Sequence, residues 1–386
     1  MPTTRPFPQS LAFPGCCKPG SDIPLEQAVA KFYDYFRETY IRESNGHTPG
    51  GGFYIDRPDN FQGGNYKTIS EAHGYGMIIL VLMAGYEERA QEYFDGFYNF
   101  YDHHRSRTNP HLMSWVVPED EGGLANDSAT DGDMDIAYAL LLAHTQWGSD
   151  GKVPYLAQAR RIITEGIRVS NLAVDGRTLL GDWDKDAHNS RPSDWMPGHF
   201  QAFYDATGDA VWLKAKRRCL ELMQGVVKTH APDTGLVPDF IIGDPPQPAR
   251  ANFLERSTDG AFSWNACRIP LRLAADFAHY GTPESQAILL GMTRWLRGIT
   301  QGNPMAIHHG YHLNGDKVEF EVKSLERARM TFMAPMLAGS MVDGEAQEFL
   351  TRGWSLLGRP AYYYADCLDM LSLLLISGNW WAPRME

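Results

Sequence analysis

Basic residues, cysteines and long apolar runs are all scarce in this chain, and each scarcity removes a class of function. Lys and Arg number 35 against 47 Asp and Glu, a formal charge of −12, so the chain lacks the basic surface that a general nucleic-acid binder needs. An acidic surface suits solubility or a cationic partner. The longest apolar stretches, such as residues 371–376, fall far short of the ~18 residues of a membrane span. Five cysteines, at 16, 17, 219, 267 and 367, are an odd count without metal-ligand spacing, so neither a disulfide framework nor a metal site is expected. Cys267, in Asn265-Ala-Cys-Arg-Ile, reads as a small buried hydrophobe. There is no GxSxG elbow, Walker A motif or Rossmann fingerprint, which weakens serine-hydrolase, nucleotide and dinucleotide functions. His308-His309-Gly-Tyr-His312 lacks the helical zinc pattern and reads as a surface loop. The opening Met1-Pro-Thr-Thr-Arg-Pro-Phe-Pro has no apolar signal-peptide core, so either the protein stays inside the cell or a signal was removed ahead of it.

What is present is a soluble globular composition, 43% hydrophobic and 12% aromatic over 386 residues, and an internal repeat. Five times an apolar run ends at a glycine turn and an amphipathic run follows. The glycines are Gly85, Gly148, Gly208, Gly281 and Gly344, spaced 63, 60, 73 and 63 residues apart. Glycine just past a helix accepts the left-handed conformation that closes it. Before the turns lie 76–84, 135–146, 195–206, 265–280 and 327–342, apolar nearly all round, as a helix buried on every face would be. After them come 87–101, 154–169, 211–228, 283–297 and 345–357, with apolar residues at helical spacing. Residues 24–41 and 364–376 supply an eleventh and a twelfth helix. Six hairpins predict an all-α (α/α)6 barrel, with buried helices inside an amphipathic ring. A helical solenoid is the rival, for which the buried last helix would be a poor cap. One catalytic domain over 1–386 is expected, with 1–22 an extended N-terminal segment.

If the inner helices run the same way, their N-termini and preceding loops gather at one mouth. The segments arriving there are 68–76, 129–135, 191–195 and 252–265, rich in acids, aromatics and glycine. Glu71, ahead of Gly74 and Gly76, is either a helix-terminus carboxylate or a proton donor raised by burial. Asp131-Gly-Asp133-Met-Asp135 places three acids within five residues. One serves as a cap; three exceed capping needs, and the calcium-loop pattern is absent. Trp115, Trp183, Trp195, Trp264 and the pair Trp380-Trp381 lie near polar stretches, where sugar rings could stack; half are expected to be core.

Together the segments resemble glycoside hydrolase family 8. The carriers are Ser70-Glu71-Ala-His-Gly-Tyr-Gly-Met77, Ala129-Thr-Asp131-Gly-Asp-Met-Asp-Ile-Ala137, Thr234-Gly-Leu-Val-Pro-Asp239, Asn265-Ala-Cys-Arg268 and Ile376-Ser-Gly-Asn-Trp380, in order over nearly the whole chain. The resemblance implies the (α/α)6 barrel and inverting hydrolysis of β-1,4-type glycans. It makes Glu71 the general acid and Asp131 the residue that holds the distorted sugar and stabilises the transition state. Two positions depart from the family pattern. Ala72 replaces a glycine, and Asn265 stands where many members carry an aspartate base. An amide cannot accept a proton from water, so the chain is similar instead to the branch of chitosanases and β-1,3-1,4-glucanases with a loop glutamate base. The stretch Asp244-Pro-Pro-Gln-Pro-Ala-Arg-Ala-Asn-Phe-Leu-Glu255 nominates Glu255, and residues 178–183 and 191–196 also look like that branch.

Substrate contacts are expected from Tyr75, Asp133, Trp115, Trp183, Asp194, Trp195, Trp264, Asn265 and Arg268. In an inverting enzyme the two carboxyl groups stand about 6.5–9.5 Å apart, leaving room for a water. No metal or cofactor is required, and the expected partner is a polysaccharide, with no nucleic acid, no membrane and a monomeric, secreted enzyme. Chitosan is the first expectation for the substrate, from the net charge and the acids Glu119, Asp120, Glu121, Asp127, Asp133, Asp184, Asp186 and Asp259 on the mouth loops. Mixed-linkage or β-1,4-glucan is the second. Two further readings are a glycan-binding protein without turnover, because Asn265 removes a carboxylate, and a cellulose-synthesis accessory glucanase, which would usually keep the aspartate.

Overall fold

The computed structural model describes residues 3–44, 48–57, 66–119, 127–319 and 324–385. Its helices fall into six hairpins. The outer members are α1 (Leu25–Tyr40), α3 (Ala90–His103), α5 (155–170), α7 (Val211–His230), α9 (Pro283–Ile299) and α11 (Gln347–Trp354). The inner members are α2 (Ser70–Leu82), α4 (Thr130–Trp147), α6 (Pro197–Thr207), α8 (Ile269–Tyr280), α10 (Leu325–Ser340) and α12 (Tyr363–Ile376). Each inner helix packs on the next, and α12 packs on α2, which closes the ring into an (α/α)6 barrel.

Burial follows the sequence pattern. In α1 the buried residues Val29, Phe32, Tyr33, Phe36 and Tyr40 form one stripe, while every residue of α12 is buried. The inner helices approach closely because glycine permits it. A Cβ on Gly132 would lie 2.3 Å from Ser70 Oγ, and one on Gly74 would lie 2.5 Å from Asp135 Cβ. Gly74 therefore serves helix packing rather than the close approach of a ligand. The turn glycines Gly208 and Gly281 have φ of 70° and 66°, the left-handed closure expected. Gly344 departs from that expectation: it opens a 3-10 turn whose N-cap, Asp343, accepts from Glu345 N at 3.0 Å.

Among the described residues three antiparallel strand pairs, which the sequence pattern does not announce, decorate the barrel. Ile41–Glu43 pairs with Phe53–Ile55, Tyr66–Ile69 with Val116–Pro118, and Ile241–Ile242 with Gln247–Pro248. The second pair leads directly into α2.

Residues 3–23 contain no helix or strand and cross the C-terminal ends of the inner helices. Backbone N–H groups of Thr4, Phe7, Leu11 and Cys17 donate to the carbonyls of Gln146, Ala84, Gly378 and Met341, at 3.0, 2.7, 2.7 and 2.7 Å. These are the orphan acceptors that helix ends leave behind. Trp380 and Trp381 are buried at this end, the latter beneath Arg5 at 5.2 Å, and not at a binding mouth. His309, expected on the surface, is buried.

Candidate active site

At the opposite end the N-termini of α2, α4 and α12 and the turns ahead of α6 and α8 line a cavity of about 470 Å³. Its lining includes Glu71, the second residue of α2; Asp131, the second residue of α4; and Tyr363 and Tyr364, which open α12. Asn265 caps the 3-10 turn Ala266–Arg268 that leads into α8, and Arg191 caps the turn Pro192–Asp194 ahead of α6. Glu255 and Arg256 reach in from the loop ahead of Asn265, and Trp115, Trp183, Trp264, Leu180 and Leu254 form apolar walls.

Arg268 is the electrostatic centre. Buried beneath the cavity, its Nη1 donates to Glu71 Oε2 at 2.8 Å and to Asp131 Oδ2 at 2.5 Å. Its Nη2 donates to Ser193 Oγ at 2.7 Å and to Asn265 Oδ1 at 3.1 Å. Tyr363 Oη donates to the other oxygen of Glu71 at 2.7 Å. Burial raises the Glu71 carboxyl above its ordinary value; Arg268 opposes this and the Asp131 charge adds to it. Asp131 behaves oppositely. Burial would raise it, but Arg268, Arg191 and the Gly132 N–H bond at 2.9 Å outweigh that and hold it below the carboxylate range. Two carboxyls side by side are thus driven apart, one toward carrying a proton and one toward charge, which is the electrostatic signature of acid–base chemistry.

Glu255 accepts from Arg191 Nη2 at 3.0 Å and from Asn265 Nδ2 at 3.0 Å. Arg268 and Asn265 therefore link Glu71 to Glu255 across the cavity. Asp194 is fully buried behind it, ion-paired to Arg191 at 3.4 Å, and burial raises it to about 7.

Three expected substrate contacts lie elsewhere. Asp133 points into the core, where it accepts from Met113 N at 2.9 Å and Asn171 Nδ2 at 3.1 Å. Trp195 is fully buried with its indole N–H on Ser190 Oγ at 2.7 Å. Tyr75, also fully buried, sits one helical turn below Glu71 with Arg272 over its ring at 5.7 Å. Arg268 and Asp194 stand behind the lining rather than in it, whereas Trp115, Trp183, Trp264 and Asn265 are part of it. Sequence reading missed Arg57, Arg191, Arg256, Tyr363 and Tyr364. For Arg191 a signal existed in the motif at 191–196; the tyrosines are hidden in a run that reads as core.

Among the described residues no His/Cys/Asp/Glu cluster suits a metal ion, and no helix is long and apolar enough to cross a membrane.

Comparison with known proteins agrees with this geometry. The sequence profile of glycosyl hydrolases family 8 matches residues 24–374. An endoglucanase of Bacillus sp. (strain KSM-330) is 38% identical over 391 residues, spanning 98% of this chain and 82% of that protein. A beta-glucanase of Niallia circulans is 36% identical, spanning 98% and 91%. The solved beta-1,3-1,4-glucanase of Paenibacillus sp. X4 is 36% identical and superposes with a TM-score of 0.90 over 98% of this chain and 99% of that one. Rex8A of Paenibacillus barcinonensis, at 19% identity and a TM-score of 0.74 over 94% and 96%, shares the fold. With its barrel, its mouth of opposed carboxylates and these relatives, the chain belongs to glycosyl hydrolases family 8 and is a glycoside hydrolase.

Proposed function

We propose that the chain is an endo-acting β-glucanase that cleaves β-1,4 linkages, with mixed-linkage β-1,3-1,4-glucan as its preferred substrate and inversion at the reacting carbon. The observation that carries the substrate choice is the charge of the cleft. Arg57, Arg191 and Arg256 are interleaved with Glu71, Asp127, Asp131 and Glu255, so a polycation meets no acidic track. The acids that favoured chitosan are mostly engaged elsewhere. Asp133 is in the core, Asp184 is buried and accepts from Leu180 N and Asp186 N, and Asp259 is buried within a loop. Glu119 and Asp186 are exposed outside the lining, and Asp120 and Glu121 lie outside the described residues. The relatives' names, an endoglucanase and two β-glucanases, support the same reading.

In the mechanism, protonated Glu71 donates to the departing glycosidic oxygen while Glu255 takes a proton from a water attacking the opposite face of the ring. Asp131, ionised, stabilises the oxocarbenium-like transition state. Trp115 and Trp183 offer faces to the sugar rings. Action outside the cell as a monomer belongs to the same proposal. Reducing-sugar release from lichenan, carboxymethylcellulose and chitosan, measured side by side, tests it: lichenan should be the fastest, and chitosan alone being cleaved would overturn the substrate.

A further inference from the structure

The loop that carries Glu255 is built in an unusual way for a surface turn. The Asp259 side chain is buried, and its carboxylate collects three successive backbone N–H groups: Leu254 and Glu255 donate to Oδ2 at 2.8 and 3.0 Å, Arg256 to Oδ1 at 2.9 Å. Asn252 N closes the turn on Arg256 O at 2.7 Å, with Asn252 itself at a φ of 55°. The backbone of Glu255 is thereby held to a buried side chain.

The side chain is held as well, from two other elements. Arg191 Nη2 meets Oε1 and Asn265 Nδ2 meets Oε2, both at 3.0 Å. Neither donor is free to drift. Arg191 keeps only 11% of its side chain exposed, lies over the Phe240 ring at 5.1 Å and is paired with Asp194. Asn265 has its carbonyl on Arg268 and its backbone N–H on Asp239 Oδ1 at 3.0 Å, an oxygen that also takes Ser263 N at 3.1 Å and Ala266 N at 2.7 Å. A glutamate whose side chain is 27% exposed would otherwise sample several rotamers. With one donor on each oxygen it has one orientation, and each oxygen keeps a lone pair for a water.

We propose that Arg191, Asn265 and Asp259 are positioning residues that aim Glu255 at the attacking water, with Asn265 coupling that carboxylate through Arg268 to Glu71. This rests on the reading of Glu255 as the base. The asparagine is then a working part of the base, in place of the carboxylate it displaces.

The test compares Asp259→Ala, Asn265→Ala, Asn265→Asp and Glu255→Gly on lichenan, with and without sodium azide. Azide forms a bond to the anomeric carbon as the glycosidic C–O bond breaks and Glu71 protonates the leaving oxygen; azide has no proton to lose, so no base is needed. Asp259→Ala and Asn265→Ala should lose up to about 10²-fold in kcat, the cost of a misplaced group, with KM little changed. Azide should restore turnover and yield a glycosyl azide of inverted configuration. Asn265→Asp replaces a donor by a like charge and should move the acidic limb of the kcat/KM profile to higher pH. A merely structural defect would neither respond to azide nor move that limb. Near-normal kcat in Asn265→Ala and Asp259→Ala, or a loss in folded protein that azide does not restore, overturns the clamp. If Asp259→Ala does not fold, the two Asn265 variants decide alone. Glu255→Gly separates the two claims: activity without azide removes the base reading itself, whereas silence rescued by azide leaves it standing whatever the clamp variants do.

Discussion

Tyr363 donates its phenol to Glu71 Oε1 at 2.7 Å while Arg268 occupies Oε2, so both oxygens of the candidate acid are met by donors. Such bonds favour the ionised carboxyl and oppose the rise that burial causes. Removing the phenol in Tyr363→Phe should therefore raise the Glu71 pKa further. A general acid works only while protonated, so the basic limb of the kcat/KM profile should shift to higher pH. Lost orientation should lower kcat by about tenfold. A limb that stays in place, or moves to lower pH, counts against Glu71 as the group seen in the profile.

Glu71→Gln keeps the size and the polar contacts but removes the proton. Turnover on lichenan should fall by about 10²–10⁴-fold with the circular dichroism spectrum unchanged. An aryl oligoglucoside with a leaving group that needs no proton should lose far less. Equal losses on both substrates would assign Glu71 a role other than proton donation.

At the far end of the barrel, the segment before α1 caps the inner helices without touching the cleft. Deleting residues up to 20 removes the donors from Thr4, Phe7, Leu11 and Cys17 and takes the buried Phe7 ring out of the core. Each lost bond is worth about 0.5–1.5 kcal/mol, so the melting temperature should drop by several degrees at least. The kcat of the folded fraction should be unchanged. Loss of activity in fully folded protein would show that the two ends are coupled.

The helical hairpins were legible because their apolar residues recur at helical spacing and inner helices are apolar throughout, as α12 shows. The short strand pairs were not, since Ile41–Glu43 and Phe53–Ile55 become strands only by meeting each other. Within the site, Glu71, Asp131, Glu255 and Asn265 came from motifs, and the barrel brings all four to one cavity. Asp133 failed for a geometric reason. It follows Asp131 by two residues inside α4, about 200° round the helix, and so faces the core. Reading the acids as a loop hid that rotation. Asp259 reads from the sequence as a mouth-loop acid open to substrate, because nothing local distinguishes such a carboxylate from one collecting three N–H groups.

Asp369 on α12 offers a stability test outside the cleft. Its Oδ2 accepts from Gly358 N at 2.9 Å, Oδ1 lacks a partner among the described residues, and burial raises it to about 8 from an ordinary 3.8. Between those values the folded chain binds more protons at this site than the unfolded chain, so its contribution to stability falls as pH rises through that window. Asp369→Asn cannot ionise. Its melting temperature should match the native protein near pH 4 and exceed it increasingly toward pH 8. Parallel melting curves from pH 4 to pH 9 would show that the carboxyl ionises freely.

Substrate binding provides the last test, because charge and stacking make opposite demands. A cleft that recruited a polycation would depend on long-range attraction, and raising ionic strength from 0.01 to 0.15 M shortens the Debye length from about 30 to about 8 Å. Lichenan carries no charge, so its KM should hardly move over that range, and a lining that mixes three arginines with four carboxylates should leave the KM of any chitosan cleavage nearly as flat. Affinity must then come from surface contact. Trp183 lines the cleft with 41% of its surface exposed, and Trp115 is steadied edge-on by Tyr66 at 5.8 Å. Trp183→Ala should raise the KM for lichenan about three- to tenfold, with a smaller effect on kcat, at low and high salt alike. A KM for chitosan that climbs steeply with salt, together with a KM for lichenan indifferent to Trp183, would restore the case for a cationic substrate.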